Sequence, residues 1–182
     1  LEKNKMIYKI LKSIYRFLVS LQRGGQRKYW SWRARMAAGS YATAPNVAFR
    51  STFSPQTHFG RNTNFNGMHI AGSGKVTIGD NFHSGRDCKM ITSYHNFDKG
   101  THLPYDRTMI HKTITIEDNV WLGDHVLVLG GVTIGEGAVI QAGSVVARNV
   151  PKYAIAGGHP AVAFKYRDKE HYERLKAAGK FI

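Results

Sequence analysis

Large aliphatic residues recur every six positions through the second half of the chain, at Ile116, Leu122, Val128, Ile134, Ile140 and Val146. Two positions before each stands another apolar or small residue: Ile114, Val120, Val126, Val132, Ala138 and Ser144. Glycines such as Gly123 and Gly135 follow. A helix repeats near 3.6 residues and a strand at two, so a period of six reads as a short strand plus a turn. Three such units close one coil of a parallel β-helix, whose stacked aliphatics form a continuous core, and each coil needs its neighbours. The same register runs through Val76 and Ile78, Phe82 and Ser84, and Cys88 and Met90, with an aromatic version at Val47, Phe53, Phe59 and Phe65. Residues 94–113 carry no repeat. This gap predicts an excursion loop, and a loop of that length inside a regular solenoid is where a site is expected.

Outside the repeat the pattern changes. Ile7, Ile10, Leu11, Ile14, Phe17, Leu18 and Leu21 fall at helical spacing with Lys5, Lys9, Lys12 and Arg16 on other faces, which predicts a basic amphipathic helix. Two roles are open to it: residues 3–22 lying on an anionic membrane surface, or a helix capping the open end of the repeat core. Gly24-Gly25 predicts its end, followed by the aromatic stretch from Lys28 to Arg33. Beyond the last hexad, Pro151 breaks the ladder, Gly157-Gly158-His159-Pro160 forms a turn, and Asp168 to Lys180 reads as a charged helix. The chain divides into an N-terminal helix and aromatic linker (1–44), a β-helix domain (45–165) and a C-terminal helix (166–182).

Composition narrows the functional classes. With 19 glycines and 5 prolines among 182 residues, disorder and a collagen-like chain are excluded. The single cysteine, Cys88, makes no internal disulfide and sits in the apolar register, which fits a reducing compartment and an inert packing role. No signal-peptide pattern is visible, so the expected location is cytoplasmic, with peripheral contact at the inner face of the cell membrane if the first helix binds lipid. The formal net charge of +14 sets up a field that attracts phosphates of any kind. Binding to nucleic acid on charge and Trp30/Trp32 alone would be non-specific.

The segments Ile116 to Gly123, Gly131 to Ile140, Ala142 to Val146 and Ala156 to Ala161 resemble, in order and spacing, the hexapeptide-repeat acyltransferases, particularly the galactoside, maltose and polysaccharide O-acetyltransferases. The resemblance covers roughly residues 45–167. It implies a left-handed β-helix, a homotrimer with acetyl-CoA bound between subunits, and O-acetylation of a sugar or glycan in surface polysaccharide synthesis. It implies His95, at the edge of the excursion, as the base that takes the acceptor's proton, a task suited to imidazole near neutral pH. Asn64 matches the asparagine that orients the acceptor, with a one-residue insertion between it and His95; a turn asparagine is the other reading. The positions matching the cofactor groove are Trp121, Asp124, Ala142, Ala147, Arg148, Pro160 and Lys165. Trp121 would shield the thioester, the backbone of Ala142 and Ala147 would bond the pantetheine arm, Pro160 would pack near adenine, and Arg148 and Lys165 would hold phosphates. Asp124 stands where relatives carry a small polar residue, and Val162 where some carry a second arginine, for which Arg167 is a substitute. His102 and His111 are further candidates, but their spacing is no zinc motif, and no metal is expected. N-acetylation of an amino sugar or of an antibiotic, and a β-helix acting only as a binding scaffold, remain alternatives.

Overall fold

The computed structural model describes residues 2–182, without the side chains of residues 2–4, 6 and 7, so Ile7 of the amphipathic pattern lies outside the described side chains. A long helix, α1 (Glu2–Ala37), leads into the solenoid. The first coil holds β1 (Ser40–Tyr41) and β2 (Asn46–Val47), the second β3 (Thr57–Phe59) and β4 (Asn64–Ala71), and the third β5 (Val76–Ile78) and β6 (His83–Ile91). A hairpin, β7 (Ser93–His95) and β8 (Met109–His111), interrupts the winding. The fourth coil follows as β9 (Ile114–Ile116), β10 (Trp121–Leu122) and β11 (Leu127–Leu129), and the fifth as β12 (Thr133–Ile134), β13 (Val139–Ile140) and β14 (Val145–Val146). β15 (Ala154–Gly158) opens a final coil that turns back antiparallel as β16 (Ala161–Tyr166) before α2 (Lys169–Ala177). This is a left-handed parallel β-helix of about six turns.

Stacking follows the hexads. The first face pairs β1, β3, β5, β9 and β12 in order, and the second joins β2, β4, β6, β10, β13 and β15. The third is made by the later halves of β4 and β6 with β11 and β14. Both series of hexad positions point inward: Ile116, Leu122, Val128, Ile134, Ile140 and Val146 are at most 1% exposed, as are Ile114, Val120, Val126, Ala138 and Ser144. Val132 joins them in the core. At the N-terminal end the core turns aromatic, with Phe65 packed against Phe53, Phe59 and Phe82 at ring separations of 5.1 to 5.3 Å. Corners between the first and second faces are made by Asn62, Asn81 and Asn119, all at positive φ, where asparagine tolerates the left-handed backbone. Their amides form a ladder, each donating to the next carbonyl oxygen at 3.0 Å.

Two terminal elements differ from expectation or refine it. Gly24-Gly25 does not end α1, which continues through Trp30 and Trp32 to Ala37, so the aromatic linker is helical. A glycine costs about 1 kcal/mol in a helix interior but is compatible with helical dihedrals, and the packing beyond it holds the helix together. That packing is local: Ala34 is in the core, Trp30 lies against it, and Ser31 Oγ accepts the Val47 N–H at 2.9 Å. At the other end, Asp168 caps α2 by accepting the His171 N–H at 2.9 Å.

The α2 helix is fastened to the solenoid through Glu136, whose carboxylate accepts from Lys176, from Tyr172 at 3.2 Å and from Lys152 at 3.4 Å. Burial works to raise the Glu136 pKa, but the Lys176 hydrogen bond and charge, with Tyr172 and Lys152, bring it below its ordinary value. A depressed carboxylate stabilises the fold fully above its unfolded pKa and ceases to do so as pH falls through the folded value. Glu136→Gln is therefore expected to lower the melting temperature at neutral pH and to flatten its decline under acid. Unchanged melting at neutral pH would refute this role.

Candidate active site

The chain leaves the third coil after Ile91 and rejoins the solenoid at Ile114. Thr92 N–H donates to Ala71 O at 2.9 Å and Lys112 N–H to Thr92 O at 2.7 Å, pinning both feet of the excursion. Between them β7 and β8 form a short stem that places His95 opposite Met109. The His95 imidazole lies flat on the Tyr105 ring, with centroids 4.0 Å apart and planes 10° from parallel. Among the described residues no hydrogen bond occupies its nitrogens. The two other candidate histidines are engaged: His111 Nδ1 is 2.7 Å from Ser93 Oγ, and His102 Nδ1 is 2.9 Å from Thr101 Oγ1. Asp106 accepts N–H groups from Thr108 (2.8 Å) and Thr101 (3.2 Å). The Thr108 N–H foremost holds the Asp106 carboxyl below its ordinary range, with a smaller contribution from His95 nearby.

On the second face the ladder Asn46, Asn64, His83, Trp121, Val139 runs along the solenoid axis. Asn64 is the first residue of a strand and has no positive φ; the turn asparagine of this coil is Asn62. Its Oδ1 accepts from Asn46 Nδ2 at 2.8 Å, and its Nδ2 lies 3.4 Å from His83 Nε2. Trp121 points outward and is 53% exposed, which excludes core packing as its role. His83, between these two, was not singled out by motif. The coil repeat held the clue, but the spacings along these ladders are 18, 19 and 38 residues, so the insertions hide the alignment. His83 and Trp121 line a cleft of about 400 Å³ whose far wall includes Arg167, Tyr172 and Lys180.

The positions matched to the cofactor gather at the C-terminal coils. Ala142 sits at the corner between second and third faces, one coil beyond Asp124, whose carbonyl accepts the Gly143 N–H at 2.8 Å. The Asp124 carboxylate accepts the Arg86 N–H at 2.8 Å, a corner-bridging bond that Asp80 and Asp118 repeat elsewhere. Gly123 is required beneath this corner, because a Cβ there would stand 2.6 Å from Ala142 N. Ala147 and Arg148 occupy the next corner. The N–H groups of Ala142, Ala147 and Arg148 have no acceptor among the described residues, because the last coil does not continue over the third face. The β15–β16 hairpin carries the exposed Pro160 and Lys165, and Gly158 N–H donates to Ser144 Oγ at 3.2 Å, tying the hairpin to this rim. Free backbone donors beside exposed cations suit an elongated polyphosphate ligand with amide groups.

One chain does not assemble all of these residues. The cleft holding Trp121 contains neither His95 nor Asn64 nor the other matched cofactor positions. His95 stands at the corner between the third and first faces, and Asn64 on the second. Cys88 is buried, donates to Gly123 O at 3.2 Å, and has its thiol pushed up to about 11, chiefly by burial, which removes it as a nucleophile. Among the described residues no group of three His, Cys, Asp or Glu side chains is placed to hold a metal ion.

Comparison with known proteins agrees with the β-helix fold. Residues 113–148 match the family model described as bacterial transferase hexapeptide (six repeats). The chain is 36% identical over 133 residues to galactoside O-acetyltransferase of Escherichia coli K12, a match spanning 70% of this chain and 63% of that protein. The crystal structure of a hexapeptide-repeat-containing acetyltransferase from Vibrio cholerae superposes with a TM-score of 0.60 at 31% identity, covering 72% of this chain and 76% of the other. A galactoside acetyltransferase in complex with coenzyme A superposes with a TM-score of 0.59 at 30% identity, covering 76% and 68%.

Proposed function

We propose, from the premise that this chain belongs to the hexapeptide-repeat acetyltransferase family, that it transfers the acetyl group of acetyl-CoA to a hydroxyl of a sugar, within a bacterial surface polysaccharide or its precursor. The observation that carries the reading is the exposed His95 imidazole, stacked on Tyr105 and with no hydrogen bond to another described residue to give up. In this scheme His95 takes the proton of the acceptor hydroxyl as that oxygen attacks the thioester carbonyl, and returns it to the departing thiol. The acyl–oxygen bond forms as the carbon–sulfur bond breaks, and no acyl-enzyme is needed. Asn64, with a strand-fixed side chain beside His83, would orient the sugar.

Acetyl-CoA, as donor, supplies the activated acyl group. The unpaired N–H groups of Ala142, Ala147 and Arg148 would bond its pantetheine arm, Arg148 and Lys165 its phosphates, and Trp121 would cover the thioester end. Asp124 would act through the corner it bridges. Because the base, the acceptor asparagine and the donor rim lie on different faces and corners of one chain, a closed threefold ring of copies is the arrangement that completes the site. Incubation with acetyl-CoA and a panel of sugars is expected to release free thiol together with an acetylated sugar whose mass increment is removed by mild alkali, as an ester is. An alkali-stable amide product would overturn O-transfer in favour of N-transfer.

A further inference from the structure

Only the end of α1 meets the solenoid. From Tyr8 to Leu18 every side chain is exposed, and Tyr8, Ile10, Leu11, Ile14, Phe17, Leu18 and Leu21 are each 50% exposed or more. A helix of these residues that found its partner within the chain would bury this stripe, as Ala34 does further along. Placed at 100° per residue, Ile10 through Leu21 cover an arc of about 120°, wider than a two-in-seven coiled-coil seam. Lys5, Lys9, Lys12, Arg16 and Arg23 gather on the opposite side. Tyr8 and Tyr15 stand at one border of the apolar arc and Ser13 and Ser20 at the other. Glu2 is the only acidic residue of α1, and the ion pairs among the described residues all lie elsewhere.

We infer that residues 5–23 of α1 dock on an anionic lipid surface, with the apolar arc in the outer acyl layer and the cations among the headgroups. The inference does not depend on the transferase reading. Three features select this occupant. Aromatic residues with a polar tip at the border of an apolar arc favour a water–lipid boundary. A cationic face without acids is complementary to anionic headgroups, each cation near such a surface multiplying binding about fivefold. In a bundle of these helices from several copies, the borders would offer tyrosine and serine rather than the unlike charges that set register between coiled-coil partners. Nucleic acid would satisfy the cations but leave the apolar arc in water. No helix among the described residues is long and apolar enough to cross a membrane, so the geometry is that of a helix lying on the surface.

The test is flotation of the full chain with vesicles of phosphatidylcholine alone and of phosphatidylcholine with roughly a third phosphatidylglycerol, a fraction that gives a strongly negative surface. Recovery with the anionic vesicles only, lost at about 0.5 M salt where charges are screened, is expected. Charge reversal at four positions (Lys5→Glu, Lys9→Glu, Lys12→Glu, Arg16→Glu) should weaken the partition by about a hundredfold or more. Leu11→Ser with Leu18→Ser should also abolish recovery, because the arc supplies the apolar half of the binding. Both variants alter exposed side chains and should keep the wild-type mass in solution and the same melting temperature. Equal recovery on neutral vesicles would overturn the inference. So would vesicle binding indifferent to the serine pair, which would mean charge alone as for nucleic acid. Dissociation of an oligomer by the serine pair without any vesicle binding by the wild type would identify the occupant as another copy of the helix.

Discussion

His95→Ala is expected to lower kcat by about a hundred- to ten-thousand-fold, the range supplied by a positioned general base. The KM for acetyl-CoA should move little, because the groups matched to the donor lie on the C-terminal coils rather than on the excursion. The variant should fold normally: the imidazole is exposed, stacks on Tyr105 and closes no hydrogen bond of the hairpin stem. Steady-state kinetics beside light scattering and a melting curve separate the two possibilities. Turnover at the wild-type rate in a correctly assembled sample would remove His95 from the mechanism. His111→Ala provides the internal comparison. It breaks the contact to Ser93 Oγ at the foot of the stem, so any effect on rate should come with a loosened hairpin.

Phe65→Ala should produce the largest change in stability, a loss of about 3–5 kcal/mol. The ring is 1% exposed and touches the rings of Phe53, Phe59 and Phe82, so its removal leaves a cavity spanning consecutive coils. In a solenoid each coil is held by those beside it, and the coils at the N-terminal end also receive α1 through Trp30 and Ala34. The destabilisation should therefore appear first at this end, as a change in tryptophan emission from Trp30 and Trp32 before loss of the strand signal in denaturant. A loss under about 1 kcal/mol would mean that the aromatic layer relaxes to fill the space.

The capping role expected of residues 3–22 falls instead to the later part of the same helix. The portion from Trp30 to Ala37 covers the first coil, while the portion before Gly24 stands clear of it. Periodicity could not make that division, because an apolar stripe states that something will be covered without stating by what. The aromatic run from Lys28 to Arg33 looked like a linker because two glycines precede it. Its Trp30 is instead, with Ala34, a residue through which the helix meets the core.

What the sequence determined alone is the winding. Hexad positions from Val47 to Val146 fix which side chains enter the core, because apolar side chains recurring every six residues stack from coil to coil in a β-helix. The break in the hexads likewise located the excursion, at whose edge the family resemblance places His95. What tertiary structure decided is which residues meet from one coil to the next. Insertions of one or more residues shift the coil length, so that Asn64, His83 and Trp121 form a row that equal spacing does not reveal. The duties of individual polar groups were settled there too: Asp124 is committed to Arg86, His111 to Ser93, and Trp121 to the outside of its coil. Local pattern assigns a residue to the inside or the outside of the solenoid. Its hydrogen-bond partner is another coil's backbone or side chain, and that is known only once the coils are stacked.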